Sequence, residues 1–412
     1  MTAMTDRAAR ATGVPPSRQT QAKLRVAVMA DFLEEGWPSM DYVAQSLADN
    51  LNGGAQPDLS AELVRPRFIG STLRRYREHG GRAFAGARLF NRFAIYPSWI
   101  LRNRDRFDLF HITDHSYSHL IHSLPQGRCI VTCHDLDTFK CLLEPHLELR
   151  SIAFCAMTRR ILHGFKNAQR VICGSNVTRD RILNYGLVPS ERVAVIPYGV
   201  DPVFSPRPDP EADAQIAEML GPRLNGGIEI LQVGSALKRK RIDLLLEVFA
   251  ALKSRLSGAR LARAGGQMSN ELRARAEQLS VAGAIIELPM LERRVLAAAY
   301  RRATCVLLPS DSEGFGLPVL EAMACGTPVI VSDLAVLREV GGAAAYYCQV
   351  GDIDAWVNTI VRVAAECAER GQLASDQRKR LIEQASKFSW TENAARTADI
   401  YREMLSGSSL QT

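Results

Sequence analysis

Short apolar runs alternate with longer amphipathic segments through the first half of the chain. The apolar runs, which are typical of buried parallel strands, occupy residues 24–30, 108–112, 129–133, 171–173 and 193–196. Amphipathic segments with helical spacing occupy residues 41–51, 148–165 and 176–185. Because repeated strand–helix units favour a parallel sheet covered by helices, residues 23–205 are predicted to form a doubly wound α/β domain.

A dense set of structure breakers then interrupts the alternation and indicates a domain boundary. It consists of five prolines and a glycine-rich stretch: Pro197, Pro202, Pro206, Pro208, Pro210 and residues 221–227. Residues 206–227 are therefore predicted to be a linker. Beyond it, strands are predicted at residues 228–233, 260–264, 284–288, 305–308 and 327–331. The predicted helices of this half are residues 242–256, 269–279, 291–301, 317–325 and 334–340.

Two such halves imply two Rossmann-like domains that face each other across a cleft. The second domain is predicted to span residues 228–388. Ser389 followed by Glu392 matches a capping box, which predicts a last helix that begins there and runs to about Leu405. In doubly wound sheets, ligands bind beyond the carboxyl ends of the strands, so the candidate chemistry is sought there.

Composition places the chain among ordinary globular proteins. Of its 412 residues, 47% are hydrophobic and 23% are charged, which argues against a disordered or fibrous chain. No apolar stretch is long enough to predict a transmembrane helix. Residues 1–22 lack the apolar segment of a secretory signal and are predicted to be a disordered basic tail, with an organellar transit peptide as the alternative. The nine cysteines, an odd number without a CxxC pair, indicate reduced thiols in a cytoplasmic protein.

The net charge of +7 is unevenly distributed along the chain. Residues 65–106, here called the arginine-rich window, contain eleven arginines and two acidic residues together with several aromatic side chains. Such a window is typical of an anionic membrane surface or a nucleic-acid site, and equally of a solvated face over a helical core. The sequence shows no stacking platform or reading helix for nucleic acid, so the membrane surface and the solvated face remain as alternatives.

Several frequent catalytic motifs are absent from the sequence. The first predicted strand is not followed by GxGxxG, and neither GxxxxGK[ST] nor GxSxG occurs, which disfavours nicotinamide dehydrogenases, P-loop NTPases and serine hydrolases. All eight histidines lie between His79 and His163, four of them at short spacing after residue 110. With Asp114 as the only nearby carboxylate we expect a polar wall of the cleft there, and predict no metal site.

The most informative segment is PSDSEGFGLPVLEAMACG, residues 309–326. Gly314 and Gly316 let the backbone approach a ligand closely, and Pro318 suits the first turn of a helix. The start of that helix offers free N–H groups and the positive end of its dipole to phosphate or sugar oxygens. Glu313 and Glu321 flank this turn, and their carboxylates are natural acceptors for sugar hydroxyls.

Two further strand ends carry polar side chains. Gly234 ends a predicted strand and precedes the cationic run at residues 238–241, a placement that suits a diphosphate. His134 and Asp135 directly follow a predicted strand of the first domain and are expected to face the cleft. His134 titrates near neutrality and can bind a hydroxyl or a phosphate, although a histidine at a strand end is often structural.

Together these three segments resemble the pattern of glycosyltransferase family 4, retaining enzymes of the GT-B fold. The resemblance covers about residues 24–405 and includes the Glu-x7-Glu signature at Glu313 and Glu321. It also includes the glycine and basic loop at residues 234–240, the PYGVD segment at residues 197–201, and Trp390 at the start of the last helix. In this family the last helix usually packs back on the first domain, which we expect for residues 389–412.

The resemblance implies transfer of a hexose from a GDP- or UDP-linked donor to a lipid-linked or polysaccharide acceptor, with retention of the anomeric configuration. Arg239 and Lys240 would neutralise the leaving diphosphate, Glu313 would hold hydroxyls of the donor sugar, Glu321 would hold the ribose, and His134 would line the sugar–acceptor junction. The implied nucleotide-sugar site comprises Gly234, Ser235, Arg239, Lys240, Glu313, Gly314, Phe315, Gly316, Leu317 and Glu321. The implied acceptor-side residues are Gly36 and Asp135.

The implied reaction proceeds on one face of the sugar, with the leaving phosphate helping to deprotonate the acceptor. It needs no cofactor besides the nucleotide-sugar substrate, and cationic side chains replace a divalent metal. The sequence departs from the family at Ser235, where many members carry arginine, and in its first loop, where Gly36 is the only glycine. A sugar-nucleotide epimerase on the same fold and a non-catalytic nucleotide-sugar-binding protein are the alternatives. A peripheral position at the inner face of the plasma membrane is expected if the arginine-rich window binds lipid.

Overall fold

The computed structural model describes residues 23–70, 82–223, 227–369 and 375–408. The first half contains a six-stranded parallel sheet in the order β2-β1-β3-β4-β5-β6. Its strands are β1 (Leu24–Met29), β2 (Leu59–Val64), β3 (Leu109–Ile112), β4 (Cys129–Cys133), β5 (Arg170–Cys173) and β6 (Val193–Val195). The central strands β3 and β4 are buried throughout, as expected for a parallel sheet covered by helices, whereas the edge strand β2 alternates buried and exposed residues and β6 is partly buried.

Helices cover both faces of this sheet. They are α1 (Pro38–Asn52), α2 (Arg82–Phe90), α3 (Tyr96–Asn103), α4 (Lys140–Leu143), α5 (Ile152–Lys166) and α6 (Asn176–Asn184), with a π-helical segment, Asn91–Ile95, between α2 and α3. Ser151 caps α5 and Ser175 caps α6, each by accepting a hydrogen bond from a backbone N–H of the first turn. The caps fix where these helices leave the carboxyl edge of the sheet.

The second half contains another six-stranded parallel sheet, in the order β12-β11-β10-β7-β8-β9. Its strands are β7 (Glu229–Val233), β8 (Arg260–Ala264), β9 (Ile285–Glu287), β10 (Cys305–Leu308), β11 (Val329–Ser332) and β12 (Tyr346–Cys348). Its helices are α7 (Pro210–Leu220), α8 (Ile242–Arg255), α9 (Asn270–Gln278), α10 (Arg293–Arg302), α11 (Leu317–Ala324), α12 (Ala335–Gly341), α13 (Ile353–Glu369) and α14 (Ser375–Ser386). The prediction of two doubly wound α/β halves is confirmed.

The last helix, α15 (Trp390–Ser408), begins in the second half and packs against α1 of the first. The indole of Trp390 donates a hydrogen bond to the Tyr42 hydroxyl at 2.6 Å, and the Tyr401 hydroxyl lies 2.7 Å from Nδ1 of His111. Gly199 lies so close to this helix start that a Cβ there would meet the Trp390 nitrogen at 2.0 Å. The chain therefore returns to the first half at its end.

The structure differs from the sequence prediction in the span 206–227. This span contains α7, whose Ile216 and Leu220 are buried in a core shared with α10. Asp209 caps α7 and Pro210 occupies its first position, so one of the prolines that indicated a linker starts a helix. Strands β2 and β12 and helices α13 and α14 were not predicted.

The arginine-rich window has a largely structural role in the described residues. Its side chains Phe68, Phe84, Tyr96 and Ile100 are buried in the core of the first half. Residues 71–81, and with them Arg74, Arg75 and Arg77, lie outside the described residues, as does the predicted tail of residues 1–22. In the described ranges no helix combines the length and the apolar character needed to cross a bilayer.

Candidate functional site

Two loops meet at the carboxyl edge of the second sheet. Strands β7 and β10 are neighbours, so the loop after β7 (residues 234–241) and the loop after β10 (residues 309–316) lie side by side. The backbone N–H of Asp311 donates to the carbonyl of Arg239 at 2.8 Å and ties the two loops together. Parallel topology thus brings the cationic run next to the glycine loop, as the sequence predicted.

Glu313 lies at the centre of this junction. Its Oε1 accepts hydrogen bonds from Nζ of Lys240 at 2.6 Å and from the Ser310 hydroxyl at 2.6 Å, and its Oε2 lies 3.3 Å from Nη1 of Arg239. Burial alone would raise the pKa of Glu313, but the charges of Lys240 and Arg239 hold that pKa below its usual value. Within these two loops, Glu313 thus faces two cations, Lys240 and Arg239.

Arg239 also reaches across the cleft. Its Nε lies 3.3 Å from Oδ2 of Asp137, which belongs to the first half, while its Nη1 donates to the Ser312 carbonyl at 3.1 Å. Burial and the neighbouring carboxylate Asp135 raise the pKa of Asp137 despite this contact. Arg239 is thus held by carboxylates on both sides of the cleft in this structure.

Gly314 is the point where the two halves approach most closely in the loop. A Cβ at Gly314 would lie 2.0 Å from the carbonyl oxygen of His134. The Gly314 carbonyl accepts a hydrogen bond from the hydroxyl of Ser175 at 3.1 Å. Only a residue without a side chain fits between the loop and the first half, which gives the predicted glycine a steric reason.

Gly316 and Leu317 begin the helix that carries the second glutamate. Gly316 has a φ of 105°, in the left-handed region that favours glycine, and is the residue before α11. Glu321 lies in the second turn of α11, and Oε2 accepts a hydrogen bond from the Tyr300 hydroxyl at 2.8 Å. Burial raises the pKa of Glu321 to about 7. The hydrogen bond to Tyr300, which the sequence did not predict, fixes the orientation of this carboxyl group.

Two models of known families match the chain over most of its length. The model described as "Glycosyl transferases group 1" matches residues 222–388, and the model described as "Glycosyltransferase Family 4" matches residues 54–204. The chain belongs to the group 1, family 4-type glycosyltransferases. The matches cover both halves of the cleft, and the first includes the two loops that meet at Glu313.

Relatives and solved structures agree with this family membership. A D-inositol 3-phosphate glycosyltransferase of Xylanimonas cellulosilytica is 33% identical over 220 residues, which cover 52% of this chain and 52% of that protein. An O-antigen chain mannosyltransferase B of Escherichia coli is 27% identical over 283 residues, which cover 67% of this chain and 70% of that protein. The chain therefore spans only about half the length of the inositol-phosphate relative that it matches.

Solved structures of the same fold cover nearly the whole chain. Anabaena HepE in complex with UDP and glucose aligns with a TM-score of 0.67 at 15% identity, over 92% of this chain and 99% of that chain. WaaG, a glycosyltransferase involved in lipopolysaccharide biosynthesis, aligns with a TM-score of 0.63 at 14% identity, over 92% and 99% of the two chains. The predicted GT-B fold is confirmed for this family member.

The remaining residues of the predicted nucleotide-sugar site lie around the same edge. Gly234 has a φ of 143° and lies against the side chain of Lys240, and Ser235 follows it on the partly exposed loop. Phe315 is buried, and its ring centroid lies 5.0 Å from that of Tyr198. Phe315 therefore packs between the two halves of the chain, and its side chain is a core contact.

His134 differs from the expectation of an imidazole that is free to bind a ligand. Its Nε2 lies 2.7 Å from the Thr113 carbonyl and its Nδ1 lies 2.6 Å from the Tyr198 hydroxyl. Because a carbonyl only accepts, Nε2 carries the proton and Nδ1 accepts from Tyr198. Burial lowers the pKa of His134, so the ring is neutral. The histidine positions its own backbone carbonyl against Gly314, and neither ring nitrogen is left open.

The acceptor-side residues lie at the carboxyl edge of the first sheet. Gly36 ends a short 3-10 turn after β1 with a φ of 71°, and Asp135 accepts a hydrogen bond from the Asp137 backbone N–H at 3.0 Å. The sequence did not single out Asp31 or assign His115 a role in binding, and both are buried at this edge of the sheet. The only sequence feature that could have identified Asp31 and His115 is their position shortly after the end of a strand.

Proposed function

We propose that the protein transfers a hexose from a UDP- or GDP-linked donor to a saccharide or lipid-linked acceptor, with retention of configuration and without a divalent metal. The observation that carries this proposal is the buried cluster of Lys240, Arg239 and Glu313 at the carboxyl edge of the second sheet. Two fixed cations beside a helix start form a site for a diphosphate leaving group. Family membership and the GT-B fold support the same reaction class.

The cluster suggests how the chain's own residues act. Charge develops on the diphosphate as the bond to the sugar breaks, and Lys240 and Arg239 stabilise that charge without reorganising. Arg239 exchanges its contact with Asp137 for a phosphate oxygen, while Glu313 keeps Lys240 in place and accepts hydroxyls of the donor sugar. Glu321 accepts the ribose hydroxyls. The leaving phosphate takes the acceptor proton on the same face of the sugar.

What the solved relatives bind supports the donor class. HepE has been solved with UDP-glucose as well as with UDP and glucose, and a TarM variant with UDP and α-GlcNAc-glycerol. The inositol-phosphate and mannosyl relatives act as glycosyltransferases by name. These ligands favour a nucleoside diphosphate in the loop between β7 and α8 of this protein.

The decisive experiment is a thermal-shift screen with UDP, GDP, ADP and CDP, followed by mass spectrometry with the matching sugar donors and simple acceptors. We expect one diphosphate at about 100 times its Kd to stabilise the protein by about 2.7 kcal/mol, because it binds only the folded state. Transfer to an acceptor, detected as a mass increase of one hexose, supports the proposal. Conversion of the donor without an acceptor would instead identify an epimerase, and tight binding without turnover would identify a binding protein.

A membrane-associated acceptor is favoured by the connection between β4 and α5. Leu149 in this connection and Ile152, the first residue of α5, are 90% and 87% exposed, and Arg159 and Arg160 are exposed further along α5. This connection leaves the same edge of the sheet as His134, so lipid contact here would bring a lipid-linked acceptor to the mouth of the cleft. We therefore propose that the protein lies at the inner face of the plasma membrane. In this proposal Leu149 and Ile152 contact the lipid, and the arginine-rich window does not.

Replacing Leu149 and Ile152 together by serine is expected to reduce binding to phosphatidylglycerol vesicles by about tenfold or more, because each apolar side chain contributes roughly 1.5–3 kcal/mol when buried. Vesicle pelleting measures the bound fraction. Met290→Ser, at a comparably exposed apolar residue of the second half, is the control and should pellet as the unmodified protein does. Equal pelleting with phosphatidylcholine, or an unchanged double variant, would contradict the membrane proposal.

A further inference from the structure

The carboxyl edge of the first sheet contains buried polar groups without partners. Asp31, two residues after β1, is 1% exposed, and in the described residues neither of its carboxyl oxygens has a hydrogen-bond partner. His115, three residues after β3, is 4% exposed, and neither ring nitrogen has a hydrogen-bond partner there either. Strands β1 and β3 are neighbours, so both residues follow adjacent strands at the carboxyl edge of the sheet.

Buried polar groups of this kind destabilise the folded state unless a ligand supplies their missing hydrogen bonds. A buried polar group without a hydrogen bond destabilises a fold by roughly 1–3 kcal/mol, and native proteins retain few of them outside functional sites. Burial and the nearby carboxylates Asp114, Asp41 and Glu35 raise the pKa of Asp31 to about 8. Asp31 therefore offers both a donor and an acceptor at neutral pH, which is the pairing that a hydroxyl group needs.

The charges around these groups decide which ligand fits. His115 lies between two carboxylates, with Nδ1 3.5 Å from Asp114 and Nε2 3.7 Å from Asp135. The cations nearby contact other carboxylates and not His115: Arg88 and Arg92 share Glu35 at 3.2 Å and 3.5 Å, and Arg65 lies 2.6 Å from Asp41. A phosphate bound at His115 would lie against the carboxylates of Asp114 and Asp135, which repel it, whereas a hydroxyl group carries no charge.

We propose that Asp31 and His115 form the acceptor subsite and bind hydroxyl groups of an uncharged sugar, so that the acceptor carries no phosphate at the bound residue. This inference rests on the proposed function, because it takes the facing cluster at Glu313 as the donor site. It separates this protein from relatives named for D-inositol 3-phosphate, whose acceptor is a phosphomonoester. The acceptor end is a hydroxyl-rich saccharide, whatever carries it.

Saturation-transfer NMR on the UDP- or GDP-loaded protein tests the class of acceptor. The probes are a panel of methyl hexosides and the corresponding hexose 6-phosphates. We expect at least one hexoside to bind and its phosphate to bind at least tenfold more weakly. Tighter binding of a hexose phosphate would overturn the proposal. So would the absence of hexoside binding at ligand concentrations on the order of 10 mM.

Substitution of Asp31 by leucine distinguishes binding from a structural role. Asp31→Leu removes a buried carboxyl group that has no hydrogen-bond partner in the described residues and lies near other carboxylates, so the Tm is expected to rise while hexoside binding falls at least tenfold. His115→Phe is expected to weaken hexoside binding in the same way. A structural role for Asp31 would instead lower the Tm and leave hexoside binding unchanged, which would overturn the proposal.

The matched control is Asp49→Leu at an exposed position of α1, which should change neither hexoside binding nor Tm appreciably. Nucleotide binding reports on the other half of the cleft and should be the same in all of these variants. If no nucleoside diphosphate stabilises the unmodified protein, the proposed function fails. If a diphosphate stabilises it and the hexosides do not bind, the acceptor proposal alone fails.

Discussion

Replacing Lys240 by methionine is expected to reduce kcat/KM for glycosyl transfer by about 10²–10³-fold, the usual effect of removing one preorganised group that stabilises developing charge. The Lys240 ammonium is buried and fixed 2.6 Å from Glu313, so it is in position before the diphosphate leaves. Methionine keeps the apolar stem and removes only the charge. Initial rates with the donor found by the thermal-shift screen measure the effect.

The fold of the Lys240→Met variant needs its own measurement. Removing one partner of a buried ion pair can destabilise a protein by about 3–5 kcal/mol, but Glu313 keeps its contacts with Arg239 and Ser310. We therefore expect a lower Tm, with an unchanged circular dichroism spectrum at temperatures below the unfolding transition. Lys240→Arg, which preserves the charge, should recover part of the activity.

Lys238→Ala is the matched control for charge, because Lys238 lies in the same loop and is exposed. It should retain kcat/KM within about twofold, as expected for a surface substitution. A loss equal to that of Lys240→Met would mean that the overall charge of the loop matters and not the fixed cation. An unchanged rate for Lys240→Met would place the diphosphate elsewhere.

The sequence predicted that the residues it assigned to the donor side lie close together, because their placement is local in the chain; their role in donor binding stays a prediction. Gly234, Lys240, Glu313 and Gly316 each lie within eight residues of a strand end, and parallel topology brings neighbouring strand ends together. The order of elements therefore placed these residues at one edge before any side-chain contact was known. The ion pair between Lys240 and Glu313 follows from that placement and their opposite charges.

The acceptor half depends on contacts between distant residues, which the sequence pattern does not show. The tautomer of His134 is set by Thr113 and by Tyr198, 64 residues away in the chain, and burial between these distant segments lowers its pKa. The cross-cleft contact of Arg239 with Asp137 requires the relative position of the two halves. The isolation of Asp31 can be seen only when every neighbouring group is in place.

The same distinction explains the errors in the fold prediction. Proline spacing indicated a linker at residues 206–227, but Pro210 is compatible with the first position of a helix and α7 packs on α10. The aromatics of the arginine-rich window resemble a surface motif in sequence, yet Tyr96 and Phe84 are core residues. The composition of the window does not show whether its aromatic side chains face the solvent or the core, because that depends on packing against distant segments.

Gly314→Ala is expected to lower kcat by about 100-fold while leaving nucleotide binding nearly unchanged. The new Cβ would lie 2.0 Å from the His134 carbonyl oxygen, so the loop and the first half must separate by on the order of 1 Å to reach normal contact. A misplacement of about 1 Å between reacting groups costs about 10²-fold in rate. Gly314 has no positive φ, so the backbone itself tolerates alanine and the effect comes from the clash between the two halves.

Rates at saturating donor and acceptor, with diphosphate affinity measured by calorimetry, separate the two effects. Lys240, Arg239 and Glu313 lie on the same half as the loop, so their arrangement moves with it and the diphosphate still binds. Gly86→Ala is the control, because a Cβ at Gly86 in α2 meets no atom within 4 Å and alanine favours a helix. A Gly314→Ala variant with unchanged kcat would show that the reaction does not require the close approach of the two halves at this loop. Catalysis would then have to take place in a more open cleft than the one described.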